Sequence, residues 1–382
     1  MKVVIAIDSF KGSMSSLEAG DAIRRGILQA DPGAEVTVRP LADGGEGTVE
    51  ALTLGMGGSF QSVTVTRPLG DPVSAQYGMV RESGNNLTAI MEMSAAAGIT
   101  LIPAKERNPL LTTTRGVGEM IKDAIKRGAR RFIIGIGGSV TNDGGAGMLS
   151  ALGYDFLDEK GQPIPDGARG LALLKKIGTE HVLPELGQCS FQIACDVTNP
   201  LCGDNGCSAV YGPQKGADPD MIRQMDGWLA AYAQTAREDF PKADPDFPGA
   251  GAAGGLGFAF LTFTNAVLES GIQIVLEETR LEDYVKDADI VVTGEGRLDS
   301  QTVMGKAPVG VAGIAKKYGK KVLAFSGSVT KDAGVCNQHG IDAYFPVLRR
   351  ICTLEEAMDP QTARANTTAA AEQVFRLIGL FS

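Results

Sequence analysis

The residues able to do chemistry in this chain stand at the ends of apolar runs. The fullest case is Ile133-Ile-Gly-Ile-Gly-Gly-Ser-Val-Thr-Asn-Asp-Gly-Gly-Ala-Gly147, where an apolar run empties into glycines, hydroxyls, an amide and a carboxylate before a helix-like segment. Such a loop exposes backbone N–H groups at a helix start, where fixed dipoles hold an anion. The same grammar recurs in Asp8-Ser9-Phe10-Lys11, Asp43-Gly44-Gly45-Glu46-Gly47-Thr48, Asp196-Val197-Thr198-Asn199 and Gly294-Glu295-Gly296-Arg297-Leu298-Asp299. Each is expected at the carboxyl end of a strand, the edge where open α/β sheets bind ligands. Together the loops supply carboxylates, a lysine, an arginine and many N–H donors. That inventory fits a phosphate with a divalent metal. It also fits phosphoryl transfer, in which positioning and charge neutralisation carry most of the catalysis.

Individual residues have plainer alternatives. Lys11 could pair with a phosphate as a point charge, or be a surface lysine at a helix entrance. Asp43 and Glu46 could hold magnesium directly or through water, or serve an Asx-turn and a helix N-terminus. Asp196 leaves the buried run 191–195, and a partly desolvated carboxylate there could accept a proton from a substrate hydroxyl; the alternative is a turn cap. Gly212-Pro213-Gln214-Lys215-Gly216 reads as an exposed turn with a reachable cation. Two resemblances to nucleotide motifs fail. Lys306 follows Met304-Gly305 like the end of a Walker loop, but its spacing from Gly296 is wrong and Ala307 stands where Ser or Thr belongs. Gly249-Ala-Gly-Ala-Ala-Gly254 matches G-x-G-x-x-G, yet the prolines and aspartates of 243–248 cannot form the strand that must precede it. It reads as a glycine-rich loop entering a helix at 255–268.

The elements that must position these loops follow from periodicity. Residues 3–7 and 36–41 read as strands. Between them lies a helix opened by a Ser15…Glu18 capping box and carrying Leu17, Ile23, Ile27 and Leu28. From residue 60 the grammar changes: strands at 60–66, 73–80 and 87–93 are joined by turns, as in antiparallel hairpins. A helix with Val117, Met120, Ile121, Ala124 and Ile125 on one face feeds a strand at 132–136, and another strand lies at 191–195. Residues 221–238 read as helix. From 284 the parallel pattern returns, with strands at 289–293, 321–326 and 343–347 and a last helix at 362–378. The expected fold is α/β with two domains. Residues 1–59 plus 284–382 form a flavodoxin-like parallel-sheet domain, and 60–283 form an inserted mixed α/β domain, with a cleft between them.

Composition narrows the function. The chain has 382 residues, 43% of them hydrophobic, and a net charge of −9 without a long basic run, which disfavours a nucleic-acid surface. The apolar core of the first residues is too short for a signal peptide, and no stretch approaches a membrane span, so a soluble cytoplasmic protein is expected. Six cysteines without a C-x-x-C pair and two histidines, His181 and His339, make a zinc site improbable. Free thiols are expected.

Taken in order, the loops resemble the bacterial glycerate kinase family of the type-1 class. The segments that carry the resemblance are Asp8-Ser9-Phe10-Lys11, Ala42-Asp43-Gly-Gly-Glu-Gly-Thr48, Asn108-Pro-Leu-Leu-Thr-Thr113, Ile136-Gly-Gly-Ser-Val-Thr-Asn-Asp-Gly-Gly145, Ala194-Cys-Asp-Val-Thr-Asn-Pro200, Gly212-Pro-Gln-Lys-Gly216, Pro248-Gly-Ala-Gly-Ala-Ala-Gly-Gly255 and Thr293-Gly-Glu-Gly-Arg-Leu-Asp-Ser-Gln301. The resemblance implies ATP-dependent phosphorylation of D-glycerate with Mg2+, and it favours 2-phosphoglycerate over 3-phosphoglycerate as product. On that reading Asp196, Lys11 and Asp43 are the catalytic candidates. Metal ligands come from among Asp43, Glu46 and Glu295. Ser9, Gly137, Gly138, Ser139, Asn142, Asp143, Asn199, Lys215, Arg297 and Asp299 bind substrate or phosphate, with Arg297 able to grip a carboxylate bidentately. The chain departs from the family pattern at Ile7 (usually proline), Gly12 (glutamate), Arg67 (glycine) and Val140 (alanine). Arg67 would strain a turn that wanted glycine's φ range. The competing readings are a ligand-binding regulator with the same cleft and an NAD-dependent hydroxyacid dehydrogenase. The second needs the strand–G-x-G-x-x-G–helix unit that the chain lacks.

Overall fold

The structure is a computed structural model that describes residues 1–42, 47–82 and 86–381. The candidates Asp43 and Glu46 lie outside the described residues. The described strands are β1 (Lys2–Ile7), β2 (Glu35–Pro40), β3 (Ser59–Thr66), β4 (Pro72–Arg81), β5 (Leu87–Glu92), β6 (Ala129–Gly135), β7 (Asp155–Leu157), β8 (Lys176–Gly178), β9 (Ser190–Ala194), β10 (Ala266–Glu269), β11 (Ile290–Leu298), β12 (Lys321–Val329) and β13 (Ala343–Pro346). The chain divides into two compact units, Met1–Gly57 with Ile272–Ser382, and Gly58–Gly271.

The first unit, built from both chain ends, holds a wholly parallel sheet in the order β2-β1-β11-β12-β13. Counted within the unit this is 2-1-3-4-5, the flavodoxin order, whose switch point lies between β1 and β11. Val3 to Ile7 are buried on both faces, as a covered parallel strand requires. Val3, Ile5, Ile7, Ile290, Val292 and Phe325 pack with Ile23 and Ile27 of the helix Ser16–Ala30 and Phe375 of the helix Pro360–Gly379. The capping box forms as read: Ser15 N donates to Glu18 Oε2 at 2.9 Å and Glu18 N to Ser15 Oγ at 3.3 Å.

The second unit holds a mixed sheet in the order β10-β9-β6-β5-β4-β3. Its four strands β10, β9, β6 and β5 are parallel, and β4 and β3 continue antiparallel through the two hairpins. The helix Arg115–Lys126 buries Val117, Met120, Ile121, Ala124 and Ile125, the face that helical spacing predicts. The rings of Phe132 and Phe191 stack across β6 and β9 with centroids 4.8 Å apart. No helix among the described residues is long and apolar enough to cross a membrane.

Three expectations are corrected. Residues 294–298 are not a loop: β11 runs on through them because β12 stays paired, Arg297 with Ser328 and Leu298 with Val329. The helix expected at 255–268 stops at Phe263, since the next segment is β10 beside β9. Arg67 is unstrained; positive φ in that turn belongs to Gly70 (φ +101), while Arg67 N donates to Asp71 O at 2.7 Å.

One buried hydroxyl ties the carboxyl edge of the first sheet. Ser16 Oγ donates to Ile7 O at 2.7 Å and accepts from Leu41 N at 2.8 Å, tying the ends of β1 and β2 to a helix start. Replacing Ser16 with alanine strands a buried donor and acceptor, so Ser16→Ala should lose about 1–3 kcal/mol of unfolding free energy in urea denaturation. Unchanged stability would show the tie to be dispensable.

Candidate active site

Four parallel strands of the second unit end level with one another. Glu92 of β5, Gly135 of β6, Ala194 of β9 and Glu269 of β10 stand in register. Two residues further on, past the paired ends of neighbouring strands, come Ser94, Gly137, Asp196 and Gly271.

The segment after β6 has an unusual backbone economy. Gly138 O accepts from Ile99 N at 2.8 Å, Val140 O from Thr112 Oγ1 at 3.0 Å and Thr141 O from Lys215 Nζ at 2.6 Å. Val140 N donates to Ala97 O at 3.1 Å. The amides of Gly137, Gly138 and Ser139 donate to no other described residue, and the first two residues are exposed. Because each peptide group is planar, the held carbonyls fix the N–H groups of Ser139, Thr141 and Asn142, and the amides of 137–139 are a candidate anion-binding concavity. Gly138 has φ +74, a conformation that L side chains rarely adopt. Ser94 adjoins it: its Cβ lies 3.9 Å from where a Cβ on Gly138 would stand.

The remaining polar residues of this loop face inward. Asp143 is fully buried and accepts from Thr114 N (2.8 Å), Thr114 Oγ1 (2.9 Å), Gly145 N (3.2 Å) and Gly147 N (3.3 Å). Burial pushes its carboxyl up and the four donors pull it back. The N–H groups at the start of the helix Ala146–Ala151 are thus met by Asp143, which corrects the expectation of a ligand anion there. Asn142 is also buried, with Nδ2 donating to Ser208 Oγ at 2.9 Å. Lys215 is not a reachable cation but 1% exposed, and burial lowers its pKa to about 8. The glycine-rich segment that mimicked a dinucleotide fingerprint braces the same loop from outside. Gly254 O accepts from Gly144 N at 3.0 Å, and a Cβ on Gly254 would fall 2.1 Å from Thr141 O.

Asp196 is exposed rather than desolvated. Its Oδ1 accepts from Gly271 N at 3.0 Å and Ser270 Oγ at 3.1 Å, so the end of β10 orients it. Asn199 is engaged locally, donating to Asn205 O at 2.9 Å and accepting from Tyr211 OH at 2.7 Å.

The first unit carries its own group at the β1/β11 switch point. Asp8 is buried, its N donates to Gly294 O at 3.0 Å and its Oδ1 accepts from Ser9 N at 2.6 Å; Lys11 beyond it is exposed. Glu295 accepts from Thr302 Oγ1 at 2.6 Å and from Lys306 Nζ at 3.3 Å. Burial pushes its carboxyl up, against the pull of Thr302 and Lys306. Lys306 also lies 4.0 Å from Asp299, whose other oxygen is 3.5 Å from Arg297 Nε. Two carboxylates therefore surround one cation. Such a donor set suits magnesium, which takes one or two carboxylates and leaves its other positions to water and phosphate. Among the described residues no group of three or more His, Cys, Asp or Glu could hold a metal alone. Lys306, set aside with the failed Walker pattern, pairs with Glu295, and Ser94, not singled out from the sequence, borders Gly138.

A model of the glycerate kinase family matches residues 3–379. The chain belongs to the glycerate kinase family. Its relatives include the glycerate 2-kinase of Escherichia coli, 50% identical over 94% of this chain and 93% of that protein. The glycerate kinase of Haemophilus influenzae is 47% identical over 99% of each chain. A crystal structure of a protein assigned as glycerate kinase 2 from Salmonella typhimurium superposes at TM-score 0.91 with 46% identity, over 100% of this chain and 99% of that one. As a member of the glycerate kinase family the chain is an enzyme, a phosphotransferase.

Asp143 should prove structural rather than ligand-binding. Asp143→Ala leaves four buried donors without an acceptor and should cost roughly 2–5 kcal/mol in urea denaturation. A variant as stable as the unmodified protein would return Asp143 to the list of ligand contacts.

Proposed function

We propose that the protein transfers the γ-phosphoryl group of ATP to a hydroxyl of D-glycerate with the help of magnesium, and that the product is 2-phosphoglycerate. The observation that carries this reading is the row of amides at Gly137, Gly138 and Ser139 with no acceptor among the described residues, together with a carboxylate, Asp196, that follows the neighbouring strand β9. The printed names of the relatives support the substrate, and that of the Escherichia coli protein supports the position phosphorylated. Dependence on ATP makes the cytoplasm its place of action.

The roles follow from chemistry. The three amides hold phosphoryl oxygens by fixed dipoles that need no reorganisation. Asp196, with one oxygen already oriented by Ser270 and Gly271, accepts the proton of the attacking hydroxyl. Arg297 offers a planar fork to the glycerate carboxylate. Lys11 and Ser9 steady the phosphate charge. Glu295 and Asp299, with Asp43 and Glu46, are the carboxylates that would hold magnesium. When bound, the metal neutralises phosphate charge.

Asp196→Asn should lower kcat by about 10²–10⁴ with little change in KM for ATP and an unaltered circular dichroism spectrum. Near-normal turnover would remove Asp196 from this role. Proton-coupled phosphorus NMR of the product reads the regiochemistry. Phosphate on the secondary carbon couples to one proton and gives a doublet, whereas on the methylene carbon it gives a triplet. A triplet would overturn the 2-phosphoglycerate assignment.

A further inference from the structure

Lys215 is the buried cation that the mechanism has not used. It is carried on the turn Pro213–Lys215, with 1% of its surface exposed. Its ammonium donates to Thr141 O at 2.6 Å, and among the described residues it has no ion pair. The groups that face it are few. Cys207 opens the helix Cys207–Tyr211, and burial pushes its thiol up to about 11, so it is neutral. Asp143 lies near enough to favour the ammonium but is itself saturated by four donors. Arg107 contacts the same turn, its Nη1 donating to Gln214 O at 3.3 Å. A charge held in a dry interior with one hydrogen bond is costly unless something else offsets it. The carbonyl it holds belongs to the loop whose amides await an anion.

We propose that Lys215 is a positioning residue and the buried counter-charge of the loop that follows β6: it fixes the Thr141 carbonyl, and phosphoryl oxygens bound at the 137–139 amides of the same loop in turn favour its charged form. This rests on the reading of that loop as the phosphate site. Lys215 acts through the peptide backbone and does not touch the ligand. Coupling of this kind is reciprocal. Burial depresses the free-state pKa to about 8, so the amine is half neutral there. An anion on the loop stabilises the ammonium and raises that pKa. Binding therefore takes up protons near and above pH 8, and affinity falls as pH rises through that range. A purely structural lysine would titrate identically with and without ligand.

The test is NMR titration of the full-length protein labelled with ¹³C at lysine Cε and with ¹⁵N in the backbone. The probe is inorganic sulfate, a dianion that does not itself titrate between pH 6.5 and 10.5. The missing resonance in Lys215→Met assigns the signal, and Lys215→Arg gives the same assignment if the methionine variant fails to fold. The expected result is a Lys215 midpoint near 8 that moves up by about half a unit or more at saturating sulfate. The amides of Gly137 and Gly138 should shift together with it. In Gly138→Ala, where the loop conformation is disfavoured, both responses should be lost. If the wild-type amides respond while the Lys215 midpoint stays put, the counter-charge role is overturned and the loop reading survives. If the amides do not respond, or if Gly138→Ala binds sulfate as wild type does, the loop reading falls and this inference falls with it.

Discussion

A peptide carbonyl repels an anion as surely as a peptide N–H attracts one, and the phosphate site proposed in the second unit depends on separating the two. Three donors of different kinds achieve this: the backbone amide of Ile99, the hydroxyl of Thr112 and the ammonium of Lys215 hold the carbonyls of Gly138, Val140 and Thr141. A glycine-rich chain left alone would sample conformations in which its carbonyls point either way. Here the choice is made by segments far apart in sequence, which set the peptide groups carrying the N–H of Ser139, Thr141 and Asn142 independently of any ligand. Preorganised dipoles are what phosphoryl transfer asks of a protein. Asp143 extends the same logic by accepting from the N–H groups of the following helix start.

The fold was largely legible because burial leaves a simple mark. Strands covered on both faces read as apolar runs, and the helix Arg115–Lys126 displays its buried residues at helical spacing. Residues 294–298 misled because glycine, glutamate and arginine resemble a loop. What keeps them in β11 is nonlocal: their partner β12 continues beside them, and Ser326 Oγ accepts from Leu298 N at 3.0 Å. A single sequence carries no trace of such a pairing.

Burial and direction in the candidate site were not legible. The polar positions around β6 and β9 were found because they follow apolar runs, yet type and spacing say nothing of which way a side chain turns. Asn142, Asp143 and Lys215 read as ligand contacts and instead point inward, since a loop dense in peptide groups needs internal partners for them. Asp196 went the other way: it was expected to be desolvated at the end of a buried strand and is exposed, because the sheet has already ended when the chain reaches it. Lys306 was dismissed with a motif it does not belong to. Its significance is ionic, and it became visible only once β11 placed Glu295 beside it.

The departures from the family pattern fit this division between backbone support and chemistry. Ile7 is fully buried at the end of β1, and Val140 is fully buried while its carbonyl still meets Thr112. Arg67 needs no glycine-like φ, and its guanidinium lies 3.0 Å from Asp71. Gly12 has φ +77, and a Cβ there would fall 2.6 Å from Met358 Cε, so in this backbone a glutamate would be strained and crowded. The changes at Ile7, Arg67 and Val140 alter how the frame is filled, whereas Gly12 leaves out the carboxylate that the family pattern carries after Lys11. A scaffold that fixes its loops through hydrogen bonds to main-chain carbonyls tolerates such changes, because a main-chain carbonyl survives any substitution of the residue that bears it.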